Sequence, residues 1–182
     1  MHLISSQFPD ISIVPTMVEH APALALLVQN NSDHLQNYLP AVLQLASLDD
    51  ARAYLERASE RTASGETREW HIFSGTALCG SIRLKEIDDD DRKAKMAYYL
   101  AQQFQGRGIA SASVRAVLVY AFGELRLNRV DLQCAAANHA SMALAERLGF
   151  RHEGVLRQGE LLNDVFVDLH VYGLLQAEFS GR

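Results

Sequence analysis

Between Met96 and Cys134 the apolar residues change their spacing twice, and few arrangements of secondary structure accommodate that. Met96 to Leu100 reads as an extended run. From Gly108 on, Val114, Val117, Leu118, Ala121, Phe122 and Leu125 fall on one broad helical stripe, after which Val130, Leu132 and Cys134 alternate with Asp131 and Gln133. A strand, a helix and a strand in that order form a β-α-β unit, whose ligand site is expected at the end of the first strand and the start of the helix.

The rest of the chain fits around this unit. Ile11 to Pro15 reads as a strand and Met17 to Asn30 as a helix, with a second helix after Leu48-Asp49-Asp50. Trp70 to Phe73, Leu78 to Glu86 and Met96 to Leu100 read as an antiparallel meander, with Leu78, Ile82 and Leu84 on one parity. Asn138 can cap the next helix and Gly149 ends it. Val165, Val167, Leu169 and Val171 then alternate with Phe166, Asp168, His170 and Tyr172 in the last strand. The expected order is β-α-α-β-β-β-α-β-α-β-β, an α/β (α+β) chain with no linker or repeat to divide it.

Composition removes several function classes. With 17 Lys and Arg against 22 Asp and Glu, the 182-residue chain carries a formal charge of −5, which argues against phosphate-neutralising nucleic-acid binding and suits basic partners such as amines. Cys79 and Cys134 are too few for a disulfide framework and fit a reducing cytoplasm. The seven histidines form no local zinc spacing, and Asp88 to Asp91 lacks the glycine of a calcium loop, so no metal is expected. No signal peptide or membrane span is read from the sequence.

At the expected ligand site stands Gln103-Phe104-Gln105-Gly106-Arg107-Gly108, the pattern Q-x-x-G-x-G opening into a helix. Two glycines let the backbone turn its N–H groups towards a ligand, the helix dipole reinforces that nest, and Arg107 adds a cation; a diphosphate is the natural guest. A P-loop is absent, and Ser111 stands where a third dinucleotide-binding glycine would be.

This motif, followed by Asn138, Ser141 and Leu148-Gly149-Phe150, resembles the GNAT superfamily of N-acetyltransferases. Glu153 to Gln158, Leu162-Asn163 and Asp168 to Tyr172 resemble its RimJ/RimL branch, which acetylates N-terminal amines of ribosomal proteins. The resemblance implies a GNAT fold, a mixed, mostly antiparallel sheet with splayed central strands flanked by helices, in one N-acetyltransferase domain over residues 1–182. It implies acetyl-CoA as co-substrate. Tyr98, Tyr99 and Leu100 would lie on the splayed strand that pairs with the pantetheine arm. Gln103, Phe104, Gln105, Gly106, Arg107 and Gly108 would cradle the pyrophosphate, with Ile109, Ala110 and Ser111 opening the helix behind them. Asn138 would hydrogen-bond the pantetheine arm, next to Ser141.

Amine acetylation by direct transfer needs a neutral amine, a polarised thioester carbonyl and an acid for the departing thiolate. The superfamily often places a tyrosine acid seven positions after the asparagine, where this chain has Ala145. Ser141 is the nearest replacement, and RimL-type members look the same there. Glu160 matches a proposed catalytic glutamate of RimL-like enzymes and is the expected base. Cys134 matches a cysteine in those sequences; it is a candidate for an acetyl-enzyme, although its parity with Val130 and Leu132 reads as a buried thiol. Asp168 is a candidate for acceptor contact.

The expected reaction moves an acetyl group to a primary amine, with the N-terminal α-amine of a ribosomal protein as acceptor. An α-amine titrates near ~7.7–8.0 and lysine near ~10.4, which favours the former for a carboxylate base. A polyamine, an aminoglycoside or an amino-acid-like metabolite is the alternative acceptor. A non-catalytic acyl-CoA sensor is the alternative to an enzyme. No direct nucleic-acid or membrane partner is expected, the protein is placed in the cytoplasm, and a homodimer is admitted by the RimL resemblance.

Overall fold

The computed structural model describes residues 3–4, 8 and 10–180. Its centre is an eight-stranded sheet in the order β1-β2-β3-β4-β5-β6-β8-β7, made of Leu3–Ile4, Ile11–Pro15, Arg68–Ser74, Ala77–Asp88, Lys93–Leu100, Arg129–Ala135, Arg151–Leu162 and Val165–Leu175 as β1 to β8. Every neighbouring pair is antiparallel except β5 and β6. A parallel pair needs a crossover, and α4 (Ile109–Gly123) supplies it, as the changes in spacing require. Helices α1 (Ala21–Asn30), α2 (Ser32–Leu35) and α3 (Leu48–Ala63) carry the chain from β2 to β3, and α5 (His139–Arg147) from β6 to β7.

Two cores pack on the sheet. Val114, Val117, Leu118, Ala121 and Phe122 bury the α4 stripe in a cluster with Trp70, Ile72, Ile82, Leu84 and Met96. Leu24, Leu27 and Val28 of α1 and Ala51 and Leu55 of α3 form the second cluster, with Leu78 and Ala101. The helix ends follow the sequence signals. Ser47 accepts from the Asp50 N–H at 3.1 Å and Asn138 from the Ser141 N–H at 3.1 Å, each an N-cap. At the end of α5, Gly149 takes φ +90°, and Phe150 and Gly149 donate to the carbonyls of Ala145 and Glu146, a Schellman ending.

Two expected alternations break. Leu78 packs in the α1/α3 cluster while Ile82 and Leu84 face α4, because Ile72 pairs Gly80 but Phe73 pairs Leu78, and the extra residue, Cys79, flips the parity. Next to the bulge, a Cβ on Gly80 would collide with the Tyr99 carbonyl oxygen of β5, so only glycine fits there. In β8, Tyr172 and Leu174 join the α4 core, although the expected alternation put Tyr172 on the face opposite the apolar Val171. The acidic run forms the β4–β5 turn, with Asp88 accepting from the Asp91 N–H at 2.8 Å and Lys93 beside both carboxylates. No helix among the described residues is long and apolar enough to cross a membrane.

Candidate active site

The parallel pair comes apart partway along. Lys93 to Met96 pair with Arg129 to Leu132, but from Ala97 on β5 pairs with β4 alone, and from Gln133 on β6 pairs with β8 alone. The two strands diverge from there, and backbone groups on the inner edge of Ala97 to Leu100 are left without a ladder partner. This is the splay that the sequence resemblance implied.

One hydrogen bond spans it. Tyr98 reaches from β5 to the first turn of α5, where its hydroxyl lies 2.8 Å from Ser141 Oγ. Burial pushes the Tyr98 phenol up to about 12, so it keeps its proton at neutral pH. Asn138 sits at the same helix start, its side-chain oxygen held by the cap, which leaves its amide N–H groups to donate elsewhere. Cys134 lies on β6 in the α4 core, and burial pushes its thiol up to about 11.

At the wider end of the splay, Gln102–Phe104 forms a 3-10 turn and the chain passes through Gly106 at φ +71° and Gly108 at φ +80° into α4. Only glycine enters that region without strain, and Gly108 also lies under Phe8, whose ring would be 3.2 Å from an added Cβ. The amides of the first turn of α4, from Ile109 to Ser111, have no partner within a helix. Arg107 lies over the Phe104 ring, 5.8 Å from its centroid. Arg147 of α5 donates to Ser111 Oγ at 3.1 Å, a second cation at this helix start that the sequence reading did not pair with it. Gln105 contacts His34 at 2.7 Å, and Asn31 accepts from the Gln102 N–H at 2.9 Å, so α1 and α2 brace the turn.

The other flank of β5 holds a cavity of about 270 Å³, roofed by Leu39 to Leu45 and floored by Glu69, Ser81, Arg83 and Ala97 to Tyr99, with Tyr54 and Arg57 of α3 at its side. Glu69 is 6% exposed. The Tyr54 hydroxyl lies 2.7 and 2.9 Å from its two oxygens, and the Ser81 hydroxyl 3.1 Å from one of them. Burial, then the Glu69 charge, raises the Tyr54 phenol well above the usual range. Arg83 Nη1 donates to the Tyr54 oxygen at 3.4 Å. The expected strand starts at Trp70, whereas the observed one starts at Arg68 and includes Glu69. Its signal was parity with His71 and Phe73, opposite to the core residues Trp70 and Ile72.

The remaining candidates lie apart. Glu160 is exposed on β7, just after a break in register against β8 between Leu156 and Glu160. Asp168 accepts from the Gln158 N–H at 2.8 Å, and Gln158 takes φ +53° inside that break, so Asp168 holds the bulge.

Comparisons with known proteins agree with this geometry. Residues 11–151 match a family model described as an acetyltransferase (GNAT) domain. The chain is 44% identical over 111 residues to the putative ribosomal N-acetyltransferase YdaF of Bacillus subtilis (strain 168), an alignment that spans 61% of this chain and 60% of that protein. It is 29% identical over 153 residues to the ribosomal-protein-serine acetyltransferase of Escherichia coli (strain K12), across 84% and 86% of the two chains. A solved structure of RimL, a ribosomal L7/L12 alpha-N-protein acetyltransferase in a disulfide complex with coenzyme A, is similar with a TM-score of 0.90 at 26% identity, covering 96% of this chain and 98% of that one.

Proposed function

This chain belongs to the acetyltransferase (GNAT) family and is an acetyl-CoA-dependent N-acetyltransferase, and from that premise we propose that its acceptor is the N-terminal α-amine of a protein, a ribosomal protein first. The observation that carries this reading is the splay, a gap with free β5 backbone, a glycine nest at one end and a hydroxyl pair across it. The relatives described as ribosomal-protein acetyltransferases support the acceptor class.

Acetyl-CoA supplies an activated thioester. In our reading the turn from Gln103 to Gly108 and the first amides of α4 hold its pyrophosphate, with Arg107 and Arg147 as nearby cations. Backbone groups of Tyr98 to Leu100 hold the pantetheine arm as an added strand would, and Asn138 donates to it. A backbone N–H of the same stretch polarises the acetyl carbonyl.

The proton balance assigns the side chains. The acceptor enters as an ammonium and loses two protons, one before it attacks and one as the amide forms. A C–N bond forms and the C–S bond breaks, and the sulfur leaves with one of those protons' equivalents. Ser141, with the Tyr98 phenol behind it, is the donor to sulfur. Glu160, exposed to solvent, takes a proton through water. Cys134 lines the cleft as a neutral thiol.

The test is a mass-spectrometric acetylation assay with acetyl-CoA and a mixture of ribosomal N-terminal peptides, spermidine and an aminoglycoside. Acetylation at a peptide α-amine is expected. Product on spermidine or the aminoglycoside alone replaces this acceptor with a small molecule, and no product with acetyl-CoA bound returns the sensor reading. Glu160→Gln is expected to lower the rate and shift its pH dependence; an unchanged profile removes Glu160 as base.

A further inference from the structure

Glu69 is a buried carboxylate in want of a cation. It stands directly opposite Arg83 in the β3–β4 ladder, yet among the described residues no Lys, Arg or His nitrogen lies within 4 Å of its oxygens. Tyr54 brings one proton to be shared between its two oxygens, and the single Ser81 proton is contested by the Trp70 carbonyl at 3.2 Å. A carboxylate has about four lone-pair positions, so at least two remain for another donor. Burying a carboxylate with no cation paired directly to it is costly, and its unfilled lone pairs face a cavity where a cationic ligand can meet them.

We propose that Glu69 binds the acceptor's ammonium in this cavity. The inference rests on the amine-acetyltransferase reading above and deepens it. Ala97 and Tyr98 border both the cavity and the splay, so an amine held against Glu69 is presented to β5 where the strands part. Arg57 and Arg83 line the same space. These two guanidiniums, outside ion-pair distance of Glu69, repel a second ammonium in the cavity and can donate to a carbonyl or carboxylate oxygen near the amine. The acceptor class is therefore an α-amine next to a carbonyl, as at a peptide N-terminus, rather than a polyamine. Glu69 orients the amine, and Tyr54 and Ser81 position Glu69.

A merely structural Glu69 would tie α3 to the sheet through Tyr54 without reading the ligand's charge. The experiment separates these roles by calorimetry on the CoA-saturated protein at pH 7, using a decapeptide with N-terminal serine and its desamino analogue. Wild type is expected to bind the free amine about tenfold tighter or more, the scale of one charge-assisted hydrogen bond. Glu69→Gln, which keeps the shape and the Tyr54 contact, is expected to bring that ratio to within about twofold, and Glu69→Asp to restore part of it. The kcat/KM for the peptide falls in Glu69→Gln by about 100-fold with KM for acetyl-CoA little changed. Equal affinity of wild type for the two peptides overturns the proposal, even where the variant does not fold. So does a folded Glu69→Gln that keeps the wild-type ratio. Absence of peptide acetylation by wild type overturns the acceptor reading and this inference with it; full acetylation by Glu69→Gln overturns the inference alone.

Discussion

The two flanks of the splay are built by different means. On the cofactor side the chemistry is carried by backbone, in two glycines at positive φ, the first amides of α4 and the free edge of β5. The side where we propose the acceptor binds is built from buried side chains, with Glu69, His71 and Ser81 all enclosed on β3 and β4 and Tyr54 reaching in from α3. A backbone site depends on conformation and tolerates changes in most side chains. A side-chain site depends on charge and hydrogen bonds, and its cost in desolvation makes it sensitive to pH and to single-atom changes.

The largest expected effect tests the first half of that contrast. Gly108→Val places a β-branched residue at φ +80° and pushes its Cβ against the Phe8 ring. Acetyl-CoA affinity should fall about 100-fold, or ~2.7 kcal/mol, with the far-ultraviolet spectrum little altered. Calorimetric titration giving wild-type affinity would mean that the turn is not a nest.

The junction between the flanks comes next. Strand alternation sends Tyr98 towards α5 and Tyr99 towards the α3 side, so β5 serves both halves with adjacent residues. Ser141→Ala and Tyr98→Phe should each lower kcat about 10- to 100-fold while KM for acetyl-CoA stays within about twofold, as loss of a proton donor does. A change confined to KM in both variants would assign the pair to cofactor binding. In our reading Ser141, with the Tyr98 hydroxyl 2.8 Å behind it, takes the role left open at Ala145.

The same contrast explains what could be read from the sequence. The nest, the caps at Ser47 and Asn138 and the ending at Gly149 are set by residues within a few positions of one another, so spacing revealed them. Parity failed where a bulge inserted one residue, at Cys79, because period-2 reasoning cannot see an unpaired residue. The cavity proposed for the acceptor draws on Leu39 to Leu45, Tyr54, Glu69, Ser81, Arg83 and Ala97 to Tyr99, whose juxtaposition depends on the meander register and the packing of α3. Glu160 was legible as a motif residue, but nothing local showed that it would stand exposed on the outermost strand.

A pH experiment sharpens the acceptor half. His71 is buried, its Nδ1 is 2.9 Å from that of His20, and burial followed by the His20 charge pushes it down to about 3. Its folded value lies below the unfolded one, so between about pH 6.5 and 3 the unfolded chain binds the proton and the folded one does not. Stability is therefore lost as pH falls through that window, by about 2 kcal/mol at pH 5. Urea midpoints at pH 7 and pH 5 check this: wild type should lose stability and His71→Leu should lose less. An equal loss in both would place the acid sensitivity outside this strand.

The smallest expected effect belongs to Cys134. Its thiol, at about 11, lies some four pH units above neutrality, so the thiolate fraction is on the order of 10⁻⁴ at pH 7, and only the thiolate attacks a thioester. No cation accounts for any lowering of it, burial being the sole cause of its shift. Cys134→Ala removes one sulfur from a core position on β6, at a cost of about 1 kcal/mol in stability, and should leave kcat within about threefold. Intact-protein mass spectrometry after incubation with acetyl-CoA should find no acetyl adduct on the wild-type cysteine. Loss of turnover in a folded Cys134→Ala that still binds acetyl-CoA would move the chemistry from direct transfer across the splay to a covalent step on β6, and would make the Cys134 thiol, rather than Ser141 and Tyr98, the group that decides the rate.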